Sequence, residues 1–171
     1  MKRLLIVLSF ASLALNGCGG EGIKGTSSSL VFESAKAMVA DTKARITQIS
    51  IQDFKTRMEN EEEYFILIDV READEFEAGS IPGAFNIARG SLEFKIVDED
   101  FWDLMGMYVP EKDEEIIIYS RKGRRGALAT ESLTRLGYKN VKNLIGGWIG
   151  WSLGPEAVEE EEEKKEESGC G

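Results

Sequence analysis

The chain has 171 residues, of which 42% are hydrophobic and 30% are charged, a composition typical of one globular domain with extensions. The net charge of -10 argues against the broad basic face that nucleic-acid binding requires, so no nucleic-acid partner is predicted. Histidine is absent, which excludes Ser-His and Cys-His nucleophile pairs and His-ligated zinc within this chain. The two cysteines, Cys18 and Cys170, stand near opposite ends, so neither a disulfide framework nor a metal or cofactor site is expected.

The first residues have the layout of a secretory signal. Lys2 and Arg3 precede an apolar run from Leu4 to Leu15, which is shorter than the roughly 20 apolar residues of a membrane-spanning helix. The stretch Leu15-Asn16-Gly17-Cys18 resembles the lipobox of bacterial lipoproteins. That resemblance implies cleavage before Cys18, acylation of this cysteine and anchoring in a lipid bilayer, with the domain on the periplasmic or extracytoplasmic side of the cell envelope. The alternative is an ordinary secreted protein in which Cys18 merely follows the apolar run.

The chain divides into four predicted segments. Residues 1–17 are predicted to form a signal peptide, and residues 18–44 a flexible Gly- and Ser-rich spacer followed by an amphipathic leading helix between Leu30 and Ala44. Residues 45–153 form the predicted folded domain, and residues 154–171 a disordered acidic tail. That tail holds eight acidic residues and two lysines between Glu156 and Glu167.

Predicted strands and helices alternate through the folded domain. The predicted strands are Phe65–Val70, Phe85–Ala88, Glu115–Tyr119 and Val141–Ile145. The predicted helices are Ser50–Asn60, Glu72–Ala78, Ser91–Ile96, an apolar helix from Phe101 toward Val109, Arg124–Leu136, and a short closing helix after Gly147. This alternation predicts an α/β fold with a largely parallel sheet.

The segment from Ser120 to Gly126 is predicted to be an anion-binding loop. It joins the strand Glu115–Tyr119 to the helix that begins at Arg124, and ligands of parallel sheets bind at such strand ends near a positive helix terminus. Gly123 permits the turn in which backbone amides converge. The positive charge comes from Arg121, Lys122, Arg124 and Arg125. The alternative interpretation is a group of solvated surface charges beside a helix start.

Four motifs that occur in order resemble those of rhodanese domains. They are Ile68-Asp69-Val70-Arg71-Glu72, Gly79-Ser80-Ile81-Pro82-Gly83-Ala84, the stretch from Ile118 to Arg125, and Leu144-Ile145-Gly146-Gly147-Trp148. The resemblance covers roughly residues 46–151. It implies a single rhodanese-like α/β domain with a central, mostly parallel five-stranded sheet flanked by helices.

In rhodanese domains the loop reads Cys-x-x-x-x-Arg, and its cysteine carries a sulfane sulfur as a persulfide. The family's arginine corresponds to Arg125 and its nucleophilic cysteine corresponds to Ser120. A serine hydroxyl without a nearby base stays protonated and cannot hold a persulfide. The resemblance therefore implies an inactive domain that binds a partner protein or an anionic sulfur species, either a sulfur oxyanion or a polysulfide. The alternative is a sulfurtransferase that uses Cys170 or an external thiol.

Three further points follow from the resemblance. Phosphatase relatives of this fold have a longer Cys-x-x-x-x-x-Arg loop and also begin with cysteine, so a phosphatase is disfavoured. Asp69 and Arg71 match the family's Asp-Val-Arg motif, in which the pair forms an internal salt bridge or a wall of the site, and we favour the salt bridge. Gly146, Gly147 and Trp148 match a turn whose role is packing.

Overall fold

The computed structural model describes residues 31–60 and 64–157. The predicted signal peptide, Cys18, most of the acidic tail and Cys170 lie outside these residues, so the predictions made for them stay predictions. Within the described ranges, no helix is both long enough and apolar enough to cross a membrane.

Five parallel strands form the central sheet, in the order β1-β5-β4-β2-β3. The strands are β1 Thr47–Ile49, β2 Ile66–Asp69, β3 Phe85–Asn86, β4 Glu115–Tyr119 and β5 Asn140–Leu144. The predicted five-stranded parallel sheet is confirmed. Its edge strand β1, which no predicted strand covers, pairs with β5 from Thr47 opposite Lys142 to Ile49 opposite Leu144.

Helices cover both faces of this sheet. They are α1 Ala35–Arg45, α2 Ile51–Glu59, α3 Ala73–Glu77, α4 Leu92–Lys95, α5 Glu99–Leu104, α6 Arg124–Arg135 and α7 Gly147–Leu153. The start of α2 agrees with the prediction because the Asp53 amide donates to Ser50 Oγ at 3.1 Å. The helix predicted to run toward Val109 is wrong at its end: α5 stops at Leu104, which is 82% exposed.

The leading helix α1 packs through polar contacts and not through the predicted apolar stripe. Thr42 is its one buried residue, and its hydroxyl lies 3.5 Å from Glu131 on α6. Arg45, at the end of α1, forms an ion pair with the same carboxylate. Because α1 docks on α6, it belongs to the same compact unit as the sheet.

The central strand β4 separates two apolar layers. Ile116 and Ile118 face a core that includes Trp102 and Leu133, whereas Ile117 and Tyr119 face a second core that includes Phe54 and Leu144. This arrangement is the one expected for a parallel strand buried on both faces. Both layers hold β4 in place, so they fix the point at which the loop after Tyr119 begins.

A cluster of charged side chains lies where β4 begins, at the opposite end of this strand from the loop. Both terminal nitrogens of Arg57 donate to Glu115, at 2.6 and 2.8 Å, and Lys142 Nζ lies 2.6 Å from the same carboxylate. Burial raises the pKa of Glu115, but the hydrogen bonds from Arg57 and Lys142 outweigh burial, so the net pKa lies below the ordinary 4.5. The cluster ties α2, β4 and β5 together.

Candidate functional site

The loop between β4 and α6 is organised around the side chain of Ser120. This residue is 1% exposed, and its Oγ accepts a hydrogen bond from the amide of Gly126 at 3.1 Å. Gly123, at the N-cap position of α6, has a φ of 76° and offers no side chain to the first turn. Ser120 therefore satisfies an amide of that turn, which an N-cap side chain normally does.

The backbone of α7 supports the loop from the other side. The amide of Trp148 donates to the Ser120 carbonyl at 2.9 Å, and the amide of Ile149 donates to the Arg121 carbonyl at 3.0 Å. A Cβ added to Gly147, whose φ is 55°, would lie 1.9 Å from the Ser120 carbonyl oxygen. The Gly-Gly-Trp turn therefore has the predicted packing role, because only glycine lets α7 approach the loop so closely.

Asn143 on β5 lies beneath the loop, and sequence reasoning missed it. Its side chain is fully buried, and its Nδ2 donates to Gln48 Oε1 at 3.2 Å. A Cβ added to Gly126 would lie 2.4 Å from Asn143 Oδ1, so the loop backbone rests directly on this amide. The sequence does contain a signal for this role, because Asn143 is a polar residue directly before the apolar end of the predicted strand Val141–Ile145.

The basic side chains of the loop differ in their surroundings. Arg121 and Arg124 are exposed, whereas Lys122 is 7% exposed. Arg125 Nη2 lies 2.6 Å from Glu75 Oε2, and its Nη1 lies 3.7 Å from Glu72 Oε1. The sequence predicts that Arg125 faces an anion, but in the structure its guanidinium pairs with Glu75 of α3 and lies near Glu72, the N-cap residue of that helix.

Asp69 and Arg71 form a buried ion pair beside the loop. Arg71 Nε and Nη2 donate to Asp69 Oδ2 at 2.9 and 2.7 Å, and Nη2 also donates to the Gly79 carbonyl at 2.7 Å. The guanidinium lies 4.9 Å from the ring centroid of Trp148. Burial lowers the pKa of Arg71, but the hydrogen bonds and charge of Asp69 outweigh burial, so the net pKa lies above its ordinary value. These contacts are those of an internal salt bridge, the role that we favoured from the sequence.

Tyr119 is the titratable side chain that precedes Ser120 in the chain. Burial, together with the nearby Asp69 carboxylate, raises the pKa of Tyr119 well above its ordinary 10.0, against the opposing effect of a hydrogen bond from the Ile81 amide. The phenol therefore stays protonated near neutral pH and cannot serve as a base.

The geometry restricts what the loop can do chemically. The Ser120 hydroxyl is held by a backbone donor, which occupies a lone pair of Oγ and does not remove its proton. The N-terminal end of α6 and the basic side chains beside it provide the positive potential that suits the binding of a small anion. Across the described ranges, no group of three or more His, Cys, Asp or Glu residues is placed to hold a metal ion.

Comparison with known proteins places this geometry in a family. The family model described as "Rhodanese-like domain" matches residues 50–153. A Schizosaccharomyces pombe protein named "Putative thiosulfate sulfurtransferase, mitochondrial" is 37% identical over 114 residues, which cover 63% of this chain and 80% of that protein. The structure of the human single-domain sulfurtransferase TSTD1 is 30% identical and covers 61% of this chain and 93% of its own, with a TM-score of 0.56.

Larger relatives contain a similar region as one part. The Lodderomyces elongisporus "Adenylyltransferase and sulfurtransferase UBA4" is 32% identical over 105 residues, which are 61% of this chain but only 23% of that protein. The family match runs from α2 to α7 and includes strands β2 to β5 together with the loop after β4. The chain therefore belongs to the rhodanese-like domain family.

Proposed function

We propose that this chain binds an anionic sulfur species, a sulfur oxyanion or a polysulfide, at residues 120–126 and does not itself transfer sulfur. The observation that carries the proposal is Ser120. The family's nucleophilic cysteine corresponds to this position, and here the side chain is a buried hydroxyl bonded to the Gly126 amide. The proposal is supported by a loop that leads from β4 into the N-terminus of α6 and in which Ser120 supplies no thiolate.

The chemistry of serine supports inactivity. Persulfide formation requires a thiolate that attacks sulfane sulfur, and a hydroxyl does not replace it without a base to remove its proton. The chain contains no histidine, and the neighbouring phenol of Tyr119 is held protonated. We therefore expect the domain to retain the binding step of its family and to lack the covalent step.

Two measurements on the full chain test this proposal. Isothermal titration calorimetry with thiosulfate should detect binding that weakens as salt is added, because the attraction is electrostatic. A cyanide assay should detect no thiocyanate above the level without protein. Catalytic turnover by the wild-type chain, or the absence of thiosulfate and polysulfide binding, would contradict the proposal.

A second candidate function is sulfur transfer through another thiol. It is favoured by the relative named for thiosulfate sulfurtransferase activity, and it requires Cys170 or an external thiol to replace the missing nucleophile. Mass spectrometry after polysulfide treatment separates the two functions: a persulfide on Cys170, with turnover lost in Cys170→Ala, would establish transfer. Docking of a partner protein on the same loop is the other form of binding that the sequence predicts. In the larger relative, the similar region is 23% of the protein and is joined to further sequence.

We also propose that Cys18 anchors the chain to a membrane of the bacterial cell envelope. The proposal rests on the signal-like residues 1–17 and the lipobox-like stretch that ends at Cys18. More than one acyl chain gives stable anchoring, because each buried methylene contributes about 0.8 kcal/mol. In a bacterial host, the wild type should partition into detergent and Cys18→Ser should remain in the aqueous phase. Equal partitioning of both proteins would refute the anchor.

A further inference from the structure

We infer that Glu75 on α3 lowers the affinity of the loop for dianionic sulfur species more than its affinity for monoanionic ones. The inference rests on the proposed binding function of residues 120–126. Arg125, the arginine of the loop motif, pairs with a carboxylate of another element.

The ion pair between Arg125 and Glu75 is partly buried, and a second hydrogen bond orients its carboxylate. Arg125 Nη2 lies 2.6 Å from Glu75 Oε2, and the two side chains are 35% and 26% exposed. The same oxygen of Glu75 accepts from the Glu72 amide at 3.4 Å as part of the capping box of α3. Because this cap orients the Glu75 carboxylate, its negative charge occupies a defined position facing the loop. Glu72 contributes less, since it is 62% exposed and 3.7 Å from Arg125.

The carboxylate is near enough to act on a ligand. Arg125 is the second residue of α6, so its backbone belongs to the predicted cradle. An extended arginine places its guanidinium about 6 Å from its own Cα. Glu75 therefore lies within roughly 10 Å of the loop backbone, a distance comparable to the Debye length at 0.1 M salt.

The effect of this charge depends on the charge of the ligand. Coulomb energy is proportional to the product of the two charges, so Glu75 opposes a dianion with twice the energy with which it opposes a monoanion. Removing the charge of Glu75 should then lower the dissociation constant of a dianion by the square of the factor by which it lowers that of a monoanion. At about 10 Å and a water-like dielectric, these factors are about 2 for a monoanion and about 4 for a dianion.

The test measures this pair of factors with Glu75→Gln. Glutamine keeps an oxygen that can accept from the Glu72 amide, so the cap of α3 is retained while the charge is removed. The probes are thiosulfate, a dianion, and methanethiosulfonate, a monoanion with the same sulfonyl-bound terminal sulfur. Their dissociation constants are measured by calorimetry on the full chain at about 10 mM ionic strength, where screening is weak.

Two control variants separate charge from structure. Asp113→Asn removes the same charge at an exposed position two residues before β4, beyond the far end of a strand about 16 Å long. Glu75→Asp shortens the side chain and keeps the charge. We expect both variants to leave the ratio of the two dissociation constants unchanged, and circular dichroism confirms that each variant is folded.

The outcomes are distinct. A gain of about 2-fold for methanethiosulfonate and about 4-fold for thiosulfate in Glu75→Gln supports the inference. Equal gains for both probes, no gain for either, or the same change in Glu75→Asp would overturn it while leaving the proposed binding function intact. Failure of the wild-type chain and all variants to bind either probe would overturn the proposed function, and this inference with it.

Discussion

Replacing Ser120 with alanine tests whether the hydroxyl has become a structural cap. In the wild type, Ser120 Oγ accepts from the Gly126 amide at 3.1 Å within a loop that is almost fully buried at this point. Gly123, at the N-cap position, makes no side-chain cap bond. In Ser120→Ala the Gly126 amide loses its hydrogen-bond acceptor and remains buried.

The size of the loss can be estimated from these contacts. Losing a cap side chain costs about 0.5–2 kcal/mol, and leaving a buried donor unsatisfied costs about 1–3 kcal/mol. The two figures describe the same bond and do not add, so we expect a loss of about 1–2 kcal/mol in the free energy of unfolding. For a domain of this size, that loss lowers Tm by about 3–10 °C.

Urea denaturation monitored by tryptophan fluorescence measures the loss. The matched control is Ser152→Ala, because Ser152 is exposed and its hydroxyl donates to a carbonyl within α7. We expect the control to change stability by less than about 0.5 kcal/mol. If Ser120→Ala were as stable as the wild type, the cap would be contributing nothing and the structural reading of Ser120 would fail.

Three other predictions concern the scaffold of the site. Gly147→Ala places a methyl group 1.9 Å from the Ser120 carbonyl oxygen, and we expect denaturation to show a loss of at least about 3 kcal/mol in the free energy of unfolding. The control Gly83→Ala is also at positive φ but has open space around it, so it should lose about 1 kcal/mol. Equal losses in the two variants would argue against the clash. Asp69→Asn leaves its arginine partner buried without a counter-charge, and we expect denaturation to show a loss of about 3–5 kcal/mol. Because folding lowers the pKa of Glu115 below 4.5, the stability that its carboxylate adds is present above pH 4.5 and is lost as the pH falls through the folded pKa. The stability of Glu115→Gln should lack this loss when it is measured by denaturation over the acid range. An acid profile equal to that of the wild type would contradict the role of the Glu115 ion cluster.

The sheet could be predicted from sequence because its strands carry continuous apolar runs. Ile116-Ile117-Ile118 is apolar on both faces, which indicates a buried parallel strand, and the capping pair of Ser50 and Asp53 marks a helix start. The edge strand β1 could not be recognised, because Thr47 and Gln48 are polar and the strand is three residues long. Its formation depends on pairing with β5, a tertiary contact without a local signal.

The site was predictable in its backbone and less so in its charges. Gly123 and the position of Ser120 after a buried strand located the loop from sequence alone. The pairing of Arg125 with Glu75 could not be predicted, because the two residues are 50 positions apart and meet only when α3 packs beside the loop. The sequence marks Asn143 as a polar residue in a predicted strand, but its contact with the loop could not be predicted, since that contact depends on β5 lying next to β4.

We propose above all that residues 120–126 form an anion-binding loop that lacks only its nucleophile. The most direct test is treatment of Ser120→Cys with thiosulfate in a Cys170→Ala background, followed by mass spectrometry of the loop peptide. We expect the introduced thiolate to take the terminal sulfur as a persulfide and to release sulfite, while the wild-type loop peptide stays unmodified. A loop peptide of Ser120→Cys that gains no sulfur, although the folded protein binds thiosulfate, would contradict the claim.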